Sequence, residues 1–237
     1  QELLKMLKDE NSNTCIRSSF AIFKSLSIEE LELLNSNLKC NTYRKGEVIY
    51  RESSRITGIY CVKKGILKIY KTGIDSKPQI VAFAIKGDIT GYRSVLSNEM
   101  ACTTAEIIEE AEICFIPSEI IFKLIKSNSD FALSLIQLTC RELDQANIFI
   151  KDIAQKTVKQ RLAEILLMLE NTFKLDEEGY IAVNLTREDL SSIVGTATES
   201  VIRILSEFKN VGLISINGKK IKINDKKMMN LISDSVF

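Results

Sequence analysis

The spacing of hydrophobic positions changes three times along this chain, and each change marks a different kind of element. Residues 20–37, FAIFKSLSIEELELLNSN, read as a helix: Ser27 and Glu30 have capping-box spacing, and Leu31, Leu34 and Leu38 fall on one helical face. From Cys40 to Pro117 the period shortens. The β-rich runs GEVIY, GIYCV, GILKIY, QIVAFAI, CTTAEII and AEICFI recur, many of them separated by glycines at 46, 58, 65, 73, 87 and 91. Short strands at near-regular spacing predict an all-β roll, barrel or sandwich, and alternation in ILKIY puts Leu67 and Ile69 on one face. After Pro117 the helical period returns, first in SEIIFKLIK with Ser118 as its cap, then from about Asp130 to Lys156.

In that long helix Ile136, Leu143 and Ile150 recur every seven residues, and Thr139, Ala146 and Ile153 fill the other half of the seam. This is a short coiled-coil pattern, and it predicts a helix that pairs with a second copy. The alternative is an ordinary amphipathic helix lying on its own β domain. A further helix spans 157–174, TVKQRLAEILLMLENTFK, with Leu162, Ile165, Leu166 and Leu169 as its inward stripe, followed by the charged loop LDEEGY. A hinge near Asp152 to Thr157 separates the halves. The expected organisation is a β-rich domain with N-terminal helices over 1–129, a pairing helix and hinge over 130–156, and a C-terminal domain over 157–237.

The most informative stretch is 185–223, LTREDLSSIVGTATESVIRILSEFKNVGLISINGKKIKI. Thr186 caps a first short helix, with Asp189 three residues on and Leu190, Ile193 and Val194 facing inward. Gly195 ends it, where a positive φ costs glycine little. Thr196 and Glu199 repeat the capping-box spacing at a second helix, which turns Val201, Ile204, Leu205 and Phe208 inward and leaves Thr198, Glu199 and Arg203 outward. Such outward residues meet base edges when a recognition helix lies in the major groove. Gly212 ends this helix. LISI and KIKI follow as strands, with Asn217-Gly218 as the expected two-residue turn and Ile214, Ile216, Ile221 and Ile223 on one face. Lys219, Lys220 and Lys222 put positive charge on this wing, where backbone phosphates can sit. The same lysines also suit a solvated edge that discourages aggregation.

Composition narrows the function classes. The 237 residues are 45% hydrophobic, enough for packed cores, and no apolar run reaches the roughly 20 residues of a membrane span. Residues 1–10 are charged and lack a signal peptide's apolar block, and the missing initiator Met suggests that the real N-terminus is trimmed or not shown. A cytoplasmic protein with no membrane partner is expected. The net charge of +1 gives no global case for nucleic acid, so that case rests on local placement. There is no histidine, which removes His-dependent triads, His-ligated zinc and His-ligated haem. No P-loop, nucleophile–base spacing or metal constellation occurs, so an enzyme is not expected. The six cysteines, at 15, 40, 61, 102, 114 and 140, form no CxxC pair and are expected to be reduced and mostly buried.

TREDLSSIVGTATESVIRIL closely resembles the helix-turn-helix of the Crp/Fnr transcription regulators. FAIFKSLSIEELELL resembles that family's N-terminal helix region. YRKGEVIYRESSRITGIYCVKKGILKIYKTG is similar to its β-roll, with Gly46 and Gly65 at the family's glycine positions. KGDITGYRSVLSNEMACTTAEIIEEAEICFIPSEIIFKL resembles the effector half of the roll, and TVKQRLAEILLML the helix that opens the DNA-binding domain. The resemblance implies an α+β fold: an N-terminal, cyclic-nucleotide-binding-like β-roll, a long dimerisation helix and a C-terminal winged helix-turn-helix. It implies a homodimer on a pseudo-palindromic duplex, with RNA polymerase as a further partner. The residues expected to face double-stranded DNA are Thr186, Arg187, Thr196, Thr198, Glu199, Ser200, Arg203 and Lys219. Glu199 and Arg203 match the family's base-reading Glu and Arg, whereas Thr198 stands where the cyclic-AMP receptor carries Arg.

The effector half departs further. Gly91 is followed by Tyr92 where cyclic-AMP receptors place a ribose-binding Glu, and their phosphate-binding Arg-Ser pair aligns with Cys102-Thr103. Their two adenine-reading hydroxyls fall on Ala146 and Asn147, and Arg93, beside Ser94, could replace the lost charge. These departures argue against cyclic AMP. Only Cys15 stands in the N-terminal segment where the family's oxygen sensors cluster their cysteines, which argues against an iron–sulfur cluster. The effector is left unidentified, and the alternative is a vestigial sensor with constitutive DNA binding. The rival function is a ligand- or protein-binding module whose winged helix docks protein instead of DNA.

Overall fold

A computed structural model describes residues 20–234. Among these, 20–72 with 81–144 form one compact unit and 73–80 with 145–234 form the other. Residues 1–10 and Cys15, read above for a signal peptide and a cluster ligand, lie outside the described residues. No described helix is long and apolar enough to cross a membrane.

The N-terminal unit begins with a 3-10 turn, Ala21–Phe23, and helix α1, Ile28–Asn37. The sequence pattern carries a helix back to residue 20, but the capping box sets its start. The Glu30 amide donates to Ser27 Oγ at 3.3 Å and the Ser27 amide donates to the Glu30 carboxylate at 2.9 Å. An N-cap residue with extended backbone stops a helix from reaching further back. Six strands follow: β1 Lys39–Tyr43, β2 Val48–Tyr50, β3 Gly58–Thr72, β4 Pro78–Ile85, β5 Ile89–Thr90 and β6 Thr104–Pro117. Their order is β1-β6-β3-β4, with β2 on β6 and β5 on β3. A short helix α2, Tyr92–Ser97, lies between β5 and β6.

Two pairs of short runs in the sequence are each one long strand. GIYCV and GILKIY are both part of β3, and CTTAEII and AEICFI both belong to β6, apart from Cys102 and Thr103, which precede it. The antiparallel register between β3 and β6 shifts between Val62 and Leu67. Gly65 sits inside this irregular stretch with φ +90°, and a Cβ there would fall 2.5 Å from the Glu110 carbonyl oxygen. The glycine thus marks a bulge in a continuous strand instead of a break between two strands.

The unit has two apolar clusters. One gathers Phe23, Leu26, Leu34, Ile116, Ile121, Leu124 and Phe131 around the helices, and the other fills the roll with Tyr50, Val62, Leu67, Ile69, Ile107 and Ile113. Leu67 and Ile69 are both buried, as their alternation predicts. Helix α3, Ser118–Ser127, is preceded by Pro117 as N-cap, so Ser118 is its first residue and not its cap. The long helix α4 runs Ser129–Gln155. Asn128 starts it by accepting the Phe131 amide at 2.9 Å, while its own amide group donates to Glu30 of α1 at 2.7 Å.

Cys40 and Cys114 face each other in the β1–β6 register and are joined as a disulfide, against the expectation of reduced thiols. Sequence spacing could not show this, because strand register and not local spacing brings residues 74 positions apart together. Cys102 and Cys140 are exposed, which also departs from that expectation, and Cys61 is a buried thiol whose pKa burial pushes up.

The C-terminal unit holds α5 Val158–Phe173, α6 Arg187–Val194, α7 Thr198–Asn210, the hairpin β7 Ile214–Asn217 with β8 Lys220–Ile223, and α8 Lys226–Asp234. Leu162, Leu166 and Leu169 of α5 are buried with Leu190, Ile193, Val194, Val201, Ile204, Leu205 and Phe208; Ile165 is only half-buried, and Leu167 takes an inward place instead. α8 packs against α5, with Lys226 paired to Glu170 at 2.6 Å.

Closing a loop of this length removes chain entropy from the unfolded state. Reduction of Cys40–Cys114 is therefore expected to lower the stability of the N-terminal unit by up to about 4 kcal/mol. Urea titrations with and without a dithiol reductant check this, and identical midpoints in protein shown to be oxidised would contradict it.

Candidate nucleic-acid interface

The two short helices are set by their ends. At α6 the Asp189 amide donates to Thr186 Oγ1 and the Thr186 amide donates to the Asp189 carboxylate, both at 3.0 Å. Its C-cap is Gly195 in the left-handed region, φ +71° and ψ +54°. The expected second capping box does not form: α7 starts at Thr198 after Ala197, which makes no side-chain cap. The amides of Gly195 and Thr196 both turn back to the Ser191 carbonyl, at 2.9 and 3.2 Å. That turn consumes Thr196 before the new helix begins. Thr198 Oγ1 then bonds the buried Ser191 hydroxyl at 3.0 Å, tying the two helices together.

A third tie was not visible in the sequence. The Arg161 guanidinium, from the first turn of α5, donates to the carbonyls of Lys156 at 2.7 Å and Val194 at 3.0 Å, with longer contacts to Ile153 and Gly195. One side chain thereby joins the end of α4, the start of α5 and the turn before α7. Nothing distinguishes this arginine locally from other arginines on helices. Lys156 adds to the same corner by pairing with Glu164 at 2.8 Å and with the buried Asp152 at 3.6 Å.

With Val201, Ile204, Leu205 and Phe208 buried, the opposite stripe of α7 is exposed: Glu199, Ile202, Arg203 and Ser206. Arg203 is 68% exposed and donates to Glu207 at 2.6 Å, one turn along the helix; Lys159 reaches the same carboxylate at 3.4 Å. Thr198 and Ser200 are half-buried at the edge of this stripe. A groove of about 450 Å³ runs beside it, lined by Thr186, Arg187, Glu188, Thr198 and Lys219 together with Ile202. The structure therefore brings Thr186, Arg187, Thr198 and Lys219 to one rim, with Glu199 and Arg203 on the adjoining helix face. Thr196 lies in the turn.

The wing differs by one residue from expectation. Asn217 pairs with Lys220, so the turn residues are Gly218 and Lys219, not Asn217 and Gly218. Gly218 has φ +58° at the first central position, the place a II′-type turn gives to glycine. The pairs Ile214 with Ile223 and Ile216 with Ile221 put the four isoleucines on one face as predicted. The shift separates the lysines. Lys220 pairs with Asp176 at 2.8 Å and holds that carboxyl below its usual range, and Lys222 donates to the Glu178 carbonyl at 3.2 Å. Lys219 stands exposed at the tip. Arg187 reaches it from α6 by donating to the Gly218 carbonyl at 3.1 Å.

The residues of the N-terminal unit expected to form an effector pocket lie on and beside α2. In the N-terminal unit Gly91 caps α2 with φ +79°. Tyr92 is buried, and its hydroxyl lies in a desolvated setting that pushes its pKa up. Arg93 pairs with Glu142 of α4 at 3.3 Å. The Cys102 amide donates to Ser94 Oγ at 3.1 Å, and Thr103 is buried. The Tyr50 hydroxyl bonds Thr90, Tyr50 stacks on Tyr60 at 5.4 Å between centroids, and Tyr60 meets Phe115 in a tilted contact at 5.2 Å. Ala146 and Asn147 are exposed on the part of α4 that belongs to the C-terminal unit. Along α4 every residue of the expected seam is exposed: Ile136, Thr139, Leu143, Ala146, Ile150 and Ile153. Among the described residues no group of three or more potential ligands could hold a metal ion.

Residues 40–128 match the model of the cyclic nucleotide-binding domain, and residues 160–231 match that of the Crp-like helix-turn-helix domain. The chain is 25% identical over 216 residues to an anaerobic regulatory protein of Haemophilus influenzae, covering 89% of this chain and 83% of that protein. It is 25% identical over 227 residues to the transcriptional activator protein anr of Pseudomonas aeruginosa, covering 94% and 92%. The solved structure of FixK2 from Bradyrhizobium japonicum superposes with a TM-score of 0.75 at 25% identity, covering 84% of this chain and 99% of that one.

Arg161→Met keeps the aliphatic stem and removes the donors from the carbonyls of Lys156 and Val194. Hydrogen bonds to a charged donor are worth about 1.5–3 kcal/mol, and a loss of that size in the C-terminal unit's denaturation free energy is expected. An unchanged urea midpoint would contradict the tie.

Proposed function

We propose that this chain, which belongs to the Crp/Fnr family of transcription regulators, works in the cytoplasm as a homodimer that reads a pseudo-palindromic DNA duplex with α7. The observation that carries this reading is the division of α7 into a buried apolar stripe and an exposed stripe bearing Glu199 and Arg203. Arg203 can donate to guanine O6 and N7, and Glu199 can accept from a cytosine amino group. Lys219 at the wing tip supplies phosphate contact without sequence preference. Thr186, Arg187, Thr198 and Ser200 border the same surface.

Pairing through α4 gives the seam its function. Ile136, Leu143 and Ile150 are each more than half exposed in the single chain, at 58, 62 and 64%. Large apolar groups repeated every seven residues on one face are stabilised by a second copy of the helix. Two copies of α7 then meet half-sites about one helical turn apart.

Cyclic AMP does not fit as the effector. No carboxylate stands at Tyr92 to hold a ribose, Cys102-Thr103 offers no guanidinium to a cyclic phosphate, and Arg93 is paired with Glu142. An effector, if one acts, biases the two recognition helices by binding one arrangement more tightly than the other.

The test is selection of duplexes from a random pool, followed by binding across a salt series with and without cyclic AMP. Affinity should fall steeply with salt and should not respond to cyclic AMP. No binding to any duplex at low salt would overturn the reading and favour a winged helix that docks protein. In the selected duplex, Arg203→Ala is expected to cost about 1–3 kcal/mol and relax preference at one base pair per half-site. An equal loss on all duplexes would reduce Arg203 to a phosphate contact. Lys219→Ala is expected to weaken all duplexes alike and flatten the salt slope; an unchanged slope would remove the wing tip from the interface.

A further inference from the structure

The exposed stripe of α7 is not uniformly polar. Ile202 lies between Glu199, one turn earlier, and Ser206, one turn later, next to Arg203, and is 48% exposed. A single exposed isoleucine on a protein surface needs no explanation by itself. This one occupies a recognition stripe whose other members, Glu199, Arg203 and Ser206, are hydrogen-bonding groups. It is also an apolar wall of the groove that Thr186, Thr198 and Lys219 line with polar groups.

We infer that Ile202 is a specificity-determining residue that selects a thymine in each half-site by contact with the thymine 5-methyl group. This inference rests on the DNA-reading function proposed above. The major groove presents donors and acceptors on every base pair, and the thymine methyl is its one apolar feature among the unmodified bases. An isoleucine facing any other base edge there would desolvate donors or acceptors and return no hydrogen bond. Its β-branched side chain is held near one χ1 rotamer in a helix, so its methyl groups are set before binding and little rotamer freedom is lost. Position fixes where the thymine lies. Ile202 and Arg203 are consecutive, and one turn of helix advances about 5.4 Å against about 3.4 Å per base pair. The thymine therefore falls within about two base pairs of the guanine met by Arg203.

The test replaces thymine by uracil, one position at a time, in a duplex selected by the full-length chain. The exchange removes the methyl group and leaves every hydrogen-bonding group in place. Binding of the wild-type chain should weaken about fourfold when the methyl is lost from one half-site and about fifteenfold when it is lost from both, the worth of one and of two buried methyl groups. Ile202→Ala, an exposed change that leaves the buried stripe intact, should bind the thymine and uracil duplexes equally. Two results would overturn the inference alone, with the DNA-reading function intact: a selected, Arg203-dependent duplex in which every thymine-to-uracil exchange is neutral, or an Ile202→Ala variant that keeps the wild-type loss. Failure to select any duplex would overturn both.

Discussion

The account depends on how α7 is rolled about its own axis. A helix of this length cannot hide one stripe without presenting the opposite one, and burial of Val201, Ile204, Leu205 and Phe208 settles which is which. These four side chains supply the hydrophobic stabilisation. The turn at Gly195 and the hydroxyl pair Ser191–Thr198 set the angle at which the helix leaves α6. A rotation of α7 by half a turn would bury Glu199 and Arg203 without partners, at a cost far beyond any single contact in the unit. The chemistry of the exposed face is thus protected by the apolar chemistry of the hidden one.

Polar ties then convert a rolled helix into a placed one. Arg161, on the first turn of α5, meets carbonyls at the ends of α4 and α6, where helix C-termini leave acceptors unpaired. Lys220 and Lys222 are used in the same way, fastening the wing to the loop that carries Asp176 and Glu178. Cations that look alike in sequence therefore divide into those that build the scaffold and those, Lys219 and Arg203, whose side chains stand exposed. On the proposed DNA-reading function, this division is how a chain with net charge +1 meets a polyanion: local placement matters, and the sum does not.

What was legible in the sequence was whatever local chemistry decides. The boxes at Ser27 and Thr186, the left-handed Gly195 and the inward stripes of α5 and α7 follow from spacing within one or two turns. What was not legible depended on distant partners. Cys40 meets Cys114 only through strand register, and the long strands β3 and β6 stay continuous because Gly65 absorbs a bulge against Glu110 and Ala111. Thr196 has the spacing of a cap, but its amide is drawn back to Ser191, and the wing turns one residue later than its Asn-Gly pair suggests. Arg161 gave no signal because its partners lie on two separate segments, around Lys156 and around Val194. In the N-terminal unit, the family resemblance marked which effector residues are replaced, while the pairing of Arg93 with Glu142 became visible only with the fold.

The most direct measurement is a structure of the dimer bound to a selected duplex. The account predicts α7 of each protomer in a major groove, with Glu199 and Arg203 within hydrogen-bonding distance of base edges and Lys219 beside a phosphate. A duplex held elsewhere on the protein, with the Glu199–Arg203 stripe facing solvent or a protein surface, would contradict it.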